Sequence, residues 1–156
     1  MTDFPMKERS LLRAGGIGVA VSVLTLIVMV VLTKAGVSPF PKPPSLAFAE
    51  TILRRSLPLP VGLLFHIVYV TFWSIIFVRF FPRRSLMTAL GLAGFLWLVI
   101  LAVFFPAVGW GLAGLHVSPK LIPASLLPHL LFGLLLWGLD HYLPGRATTE
   151  RAAAAL

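Results

Sequence analysis

Residues 14–33 read AGGIGVAVSVLTLIVMVVLT, an uncharged run of 20 set between Arg13 and Lys34. At about 1.5 Å per residue, ~20 apolar residues in a helix cross the ~30 Å hydrocarbon layer of a bilayer. Three more runs of this kind follow. The second extends from about Leu59 to Phe81, with His66 and Arg79 as its only ionisable members; Arg79 is close enough to the end to snorkel to the headgroups. The third begins near Leu86 and stays uncharged through Leu115. Pro106 and Gly109 are expected to end it near residue 109, leaving Trp110 at the interface. The fourth spans about Ala124 to Tyr142, entered through Pro123 and closed by Pro144 and Gly145. Only helices and closed barrels satisfy every backbone group in lipid, so four such runs predict an all-α integral membrane four-helix bundle, one domain over residues 1–156.

Composition agrees. Of 156 residues, 58% are hydrophobic and 12% charged, and the mean hydropathy is +0.97. A water-soluble domain is nearer 45–50% apolar and roughly 25% charged. Cysteine is absent, which removes disulfides, thiolate metal sites and a cysteine nucleophile. A net charge of +8 would point to nucleic acid in a soluble protein, but here the basic residues punctuate apolar runs, so no nucleic-acid partner is expected. They serve topology instead. With the amino terminus cytoplasmic, that side carries Lys7, Arg9, Arg13, Arg79, Arg83, Arg84, Arg146 and Arg151, eight residues against five (Lys34, Lys42, Arg54, Arg55 and Lys120). Both termini are therefore expected in the cytoplasm. A cleaved signal peptide fits poorly, because the first run is too long and the stretch Leu32 to Gly36 lacks a small-x-small site. No internal repeat suggests an inverted-repeat transporter.

The outer loop, residues 34–58, opens with proline-rich Pro39-Phe40-Pro41-Lys42-Pro43-Pro44, which should be extended. Ser45 is positioned to cap a short helix to about Ser56. Leu46, Ala49, Ile52 and Leu53 share one side of it, and Glu50 and Arg54 stand four apart as an ion pair. This reads as an amphipathic helix on the outer surface of the bilayer or as a lid on the bundle. The tail, residues 143–156, carries no evident chemistry.

Small residues four apart mark helix seams in lipid. The first run offers Ala14, Gly18 and Ser22; the third offers Ala89 and Ala93 with Gly91 and Gly94 nearby. These two helices are expected to approach closely at their cytoplasmic ends. Gly133 lies on the corresponding row of the fourth.

Ionisable groups inside a span are costly and mark function or the bundle interior. Two qualify: His66, about seven residues into the second span, and His129, about five into the fourth, both roughly 8–10 Å below the outer face. His66 shares a face with Tyr69, Val70 and Trp73, and His129 sits on a row with Ser125, Gly133, Trp137 and His141. Asp140 and His141 at the cytoplasmic interface read as a hydrated ion pair. Two imidazoles at matched depth offer axial ligation of a haem, part of a transition-metal site with His116 as the nearest further ligand, or proton transfer. Against these stands simple packing, each ring bonding a carbonyl or hydroxyl across the bundle. No carboxylate lies in the membrane interior, which disfavours metal transport. HExxH, phosphate-loop, GxSxG and dinucleotide signatures are absent, as are paired carboxylates for acid/base work.

The sequence resembles the YagU-like inner-membrane proteins of bacteria. The likeness is carried by Val37-Ser38-Pro39-Phe40-Pro41-Lys42-Pro43-Pro44, by Phe65-His66-Ile67-Val68-Tyr69, by Phe105-Pro106-Ala107-Val108-Gly109 and by Pro128-His129-Leu130-Leu131-Phe132-Gly133. It implies four helices in a bacterial inner membrane and draws attention to His66 and His129. Members also carry a His shortly before the Phe-Pro, where this chain has Leu101, so a three-histidine metal site does not carry over. The family supplies no reaction.

These readings converge on a non-enzymatic, four-span inner-membrane protein with a polar or proton-responsive site at His66 and His129. It needs no resident cofactor and contacts lipid and, where it assembles, a membrane-protein partner or a second copy. The alternatives are a small haem- or metal-binding subunit of a respiratory or assembly complex, and an oligomeric transporter or channel component. Reporter fusions at Pro43 and Arg84 are expected on opposite sides of the membrane; a cytoplasmic signal at Pro43 would overturn the orientation.

Overall fold

The computed structural model describes residues 4–143, with side chains from residue 11 onward. Pro144, Gly145 and the tail with Arg146 and Arg151 lie outside the described residues, as do the side chains of Lys7 and Arg9. The order is α1 (Phe4–Lys34), α2 (Pro44–Leu53), α3 (Leu59–Phe80), α4 (Leu86–Val99), a π-helical turn (Ile100–Phe104), α5 (Phe105–Ala107), a 3₁₀ turn (Leu112–Gly114) and α6 (Leu121–Tyr142). No strand occurs among the described residues. Four helical stretches, Leu11–Lys34, Leu59–Phe80, Leu86–Ala107 and Leu121–Tyr142, are long and apolar enough to cross a membrane. Large apolar side chains such as Ile27, Val31, Val68, Phe72, Leu98 and Leu134 face outward, a surface that lipid covers and water would not. The chain is a multi-pass membrane protein.

Each boundary has a local cause. Gly36, at φ 71°, ends α1 in a Schellman turn, with Val37 N donating to Leu32 O at 3.0 Å and Gly36 N to Thr33 O at 3.1 Å. The cap of α2 falls two residues before the expected Ser45: Pro43 is the N-cap, with no side-chain cap bond, and Pro44 occupies the first position, where a fixed φ is an advantage. The helix stops at Leu53, because Arg54 is left-handed (φ 51°). That turn takes Arg54 out of helical register with Glu50, whose carboxylate instead pairs with Lys42 at 2.7 Å and accepts the Leu57 amide at 3.1 Å. Lys42 and that amide hold the Glu50 carboxyl below the usual carboxylate range. Pro82 stops α3, and α4 begins in a reciprocal Ser85–Thr88 capping box. Pro106, lacking an N–H and crowding the preceding turn, follows the π turn, in which Phe105 N reaches back to Ile100 O. The fourth span starts at Leu121, three residues before expected, because Pro123 falls in the first turn where no intrahelical N–H is needed.

The small residues pair differently from expectation. A Cβ on Gly18 would sit 2.7 Å from Thr71 Cα and 3.1 Å from Ser74 Cβ, so the α1 notch, with Ala14 and Ser22 buried along it, receives α3. A Cβ on Gly133 would lie 3.1 Å from the Ala89 carbonyl and from Ala93 Cβ, so Ala89 and Ala93 seat on α6. Gly91 and Gly94 would meet nothing within 4 Å; at about 100° per residue they are turned away from the Ala89–Ala93 row. The bundle is therefore two tight pairs, α1–α3 and α4–α6, joined where α1 meets α6. Between α3 and α4 the backbones hardly approach, and aromatic side chains bridge the gap, Trp73 to Phe95 at 6.4 Å and Tyr69 to Phe104 at 5.7 Å.

One end of the bundle is tied by charge. Asp140 accepts from Arg13 at 2.8 Å and from Arg84 at 3.1 Å, and Arg13 also donates to the carbonyls of Asp140 (2.7 Å) and Leu143 (2.9 Å), capping α6. The expected Asp140–His141 pair is absent; His141 stacks on Trp137 at 5.4 Å. The opposite end is roofed by α2. Leu46 closes over Gly62 of α3, Phe48 stacks on Phe104 at 4.3 Å, and Ala47 joins Phe105, Trp110 and Leu121 in a small core. Ala47 and Ala49 are buried whereas Ile52 and Leu53 are exposed, so the inward face differs from the one expected, and the helix is a lid. Trp110 is buried in that core, where its amide reaches back to Phe105 O at 2.8 Å and folds the chain inward.

Asp140→Ala leaves two guanidinium groups without their carboxylate. It should cost about 2 kcal/mol, less than the roughly 3–5 of a fully buried pair because both arginines are partly exposed. Gly18→Val should also lower the melting temperature in detergent, and Gly91→Ala should not. Equal effects at Gly18 and Gly91 would contradict the pairing.

Candidate functional site

Beneath the α2 lid lies a cleft of about 750 Å³, within the range of small-molecule sites. Its walls come from every span: Leu26 and Met29 of α1, Leu63 and Tyr69 of α3, Leu96 of α4, Phe132 of α6. Phe40 and Phe48 close the top, and Phe104 of the π turn lines the side toward the α3–α4 gap. A smaller cavity of about 420 Å³ continues along that gap beside Trp73, Gly91 and Phe95. The π turn matters here, because the extra residue in it rotates Phe104 onto Phe48 and Tyr69.

Both interior histidines line this cleft. Their hydrogen bonds settle which nitrogens remain open. His129 Nδ1 is 2.7 Å from the Ser125 carbonyl one turn earlier. A carbonyl only accepts, so Nδ1 carries the hydrogen and Nε2, at the far end of the ring from its own helix, keeps a lone pair. His66 Nε2 is 3.1 Å from Thr25 Oγ1 on α1. The Thr25 hydroxyl is itself 2.9 Å from the Val21 and Ser22 carbonyls. Surrounded by acceptors, the hydroxyl hydrogen goes to a carbonyl and His66 Nε2–H donates to Oγ1. Both N–H groups are thus spent on the scaffold, which leaves a lone pair on His129 Nε2 and one on His66 Nδ1.

Tyr69 stands edge-on to Trp73 (6.3 Å) and Phe104 (5.7 Å). The Ser125 hydroxyl accepts from Trp97 Nε1 at 3.2 Å and donates to Ile122 O at 3.0 Å; its carbonyl, rather than its hydroxyl, serves the site by orienting His129. His116 does not join the others. It is exposed in the loop before α6, its ring packed where a side chain on Gly111 would be, 2.6 Å from an ideal Cβ there, and the glycine turns at 109, 111 and 114 hold that loop away from the cleft. No group of three or more His, Cys, Asp or Glu side chains gathers among the described residues, so His116 supplies no third ligand to a His66–His129 metal site. Thr25 and the rim lysines, Lys34 and Lys42, were not singled out by the sequence; the first sits nine residues before Lys34 on the helix, and only the α1–α3 seam brings it to His66.

No family model, curated protein or solved structure matches the chain. The likeness to YagU-like proteins rests on the short motifs alone.

Nitrogen NMR of histidine-labelled protein is expected to show His129 as the Nδ1–H tautomer and His66 as the Nε2–H tautomer, with the His66 signal alone moving in Thr25→Val. A His129 carrying its hydrogen on Nε2 would contradict the assignment.

Proposed function

We propose that this chain is a multi-pass protein of the bacterial inner membrane, with both termini cytoplasmic, that binds a small amphiphile in the cleft without transforming it. The cleft lies in the outer half of the bundle in that orientation. The observation that carries the reading is a cavity of about 750 Å³ with apolar and aromatic walls and two imidazoles among its lining residues. Apolar walls with a few placed polar groups are the usual composition of a ligand site. The location is supported by the distribution of Lys and Arg and by the YagU-like motifs. The absence from the sequence of the common nucleophile, metallohydrolase and nucleotide signatures supports binding over catalysis.

The site is also proton-responsive. A ligand held by the His129 Nε2 lone pair is released when that nitrogen is protonated, so binding weakens as the pH falls through the His129 titration and is retained above it.

Native mass spectrometry of the protein, released gently from its own membranes, tests the reading. A non-covalent adduct of small-molecule mass is expected on the wild type and not on Leu63→Trp, which fills the cleft. A wild type without an adduct, or an adduct retained in Leu63→Trp, would contradict it.

A further inference from the structure

The mouth of the cleft is cationic. Lys34, the last residue of α1, and Lys42 of the proline-rich segment both border it. Lys42 is shared with Glu50 at 2.7 Å, and Lys34 has no carboxylate partner among the described residues. Thr25, which holds His66, lies nine residues below Lys34, about 13 Å along the helix axis. A ligand filling this space meets ammonium groups at one end, aromatic faces along its length and an open imidazole nitrogen.

Those three features select a chemistry. A fatty acid or phospholipid satisfies the ammonium groups and the apolar walls and needs no imidazole lone pair to do so. A bare divalent cation satisfies the lone pair but needs more ligands than gather here. A flat macrocycle with a Lewis-acidic metal at its centre and carboxylates on one edge satisfies all three. We propose that the cleft takes a haem-type iron porphyrin, with His129 Nε2 as the axial ligand and the porphyrin carboxylates at Lys34 and Lys42. The inference rests on the binding reading above and names the class of its ligand.

The hydrogen bonds that hold the two rings support His129 over His66 as the ligand. Ligating histidines characteristically donate their other N–H to a carbonyl or carboxylate, which fixes the ring and raises the basicity of the ligating nitrogen. His129 does this through Ser125 O at 2.7 Å, and the Ser125 hydroxyl is anchored in turn by Trp97. His66 presents its outer nitrogen to Thr25 instead. Haem requires only one protein ligand, so the absence of a three-ligand cluster among the described residues does not count against it. Phe104, Tyr69 and Trp73 provide aromatic surface for the macrocycle.

The test is a titration of the purified full-length protein in mild detergent with ferric protoporphyrin and, separately, with metal-free protoporphyrin, followed by Soret absorbance. The wild type is expected to bind the iron form with a shifted Soret band. His129→Ala is expected to lose at least tenfold in affinity for the iron form and nothing for the metal-free form, which also shows that the variant is folded. Lys34→Ala with Lys42→Ala should weaken both porphyrins severalfold. Undiminished iron binding in His129→Ala, or equal binding of the two porphyrins by the wild type, overturns the ligation and leaves the cleft as a site for some other amphiphile. Undiminished binding in the double lysine variant overturns the placement of the carboxylates. A wild type that binds neither porphyrin overturns the haem proposal outright, and the native adduct and its loss in Leu63→Trp then decide separately whether the cleft binds anything.

Discussion

A single carboxylate organises this membrane protein. Asp140 is the only acidic residue within the four spans, and its side chain is 7% exposed. A carboxylate so placed is tolerable only when paired and hydrogen-bonded. The pairing recruits Arg13 from the start of the first span and Arg84 from the turn before the third, so one end of the bundle is drawn together. The Arg13 guanidinium also covers carbonyls at the end of α6, where a cation is favoured by the helix dipole.

The rest of the bundle is shaped by notches and by proline. Gly18 and Gly133 each admit one neighbour, which commits α1 to α3 and α4 to α6 and leaves α3 and α4 without a seam. Pro106 and the π turn before it place Phe104 across the resulting gap, and the proline-rich connection delivers α2 as a roof. The cleft is therefore a consequence of pairing, and the histidines inherit its environment. In a low-dielectric interior an unsatisfied imidazole N–H is expensive. Thr25 and Ser125 each satisfy one, and in doing so they decide which nitrogen stays open to a ligand.

The four spans were legible because length and lack of charge in lipid leave few alternatives. His66 and His129 were legible for the same reason, standing out against an apolar background at matched depth. The pairing of helices was not. A glycine announces a notch, but nothing in Gly18 or Gly91 says which helix will fill it, since both stand among small and aliphatic residues. The Asp140 network was missed because its partners are 127 and 56 residues away, and a neighbouring His141 offered a simpler local explanation. The inward face of α2 does not follow from its hydrophobic spacing, because the small Ala47 and Ala49 seat against the bundle while the larger Ile52 and Leu53 stay exposed. His116 was close in sequence to the fourth span yet is turned away by the glycine-rich loop that carries it.

The central claim is that α3 and α4, joined by a short turn beside Arg84, have no seam between them on the cleft side. The cysteine-free chain allows spin-label pairs to be placed without background, at the outward-facing positions Phe80 and Met87 near the Asp140 end and Leu64 and Val103 near the α2 end. Pulsed electron-spin resonance distances in lipid nanodiscs should be clearly longer for Leu64–Val103 than for Phe80–Met87. Equal separations, or a shorter one at the α2 end, would mean that α3 and α4 pack as an ordinary antiparallel pair and that there is no cleft for the histidines to face.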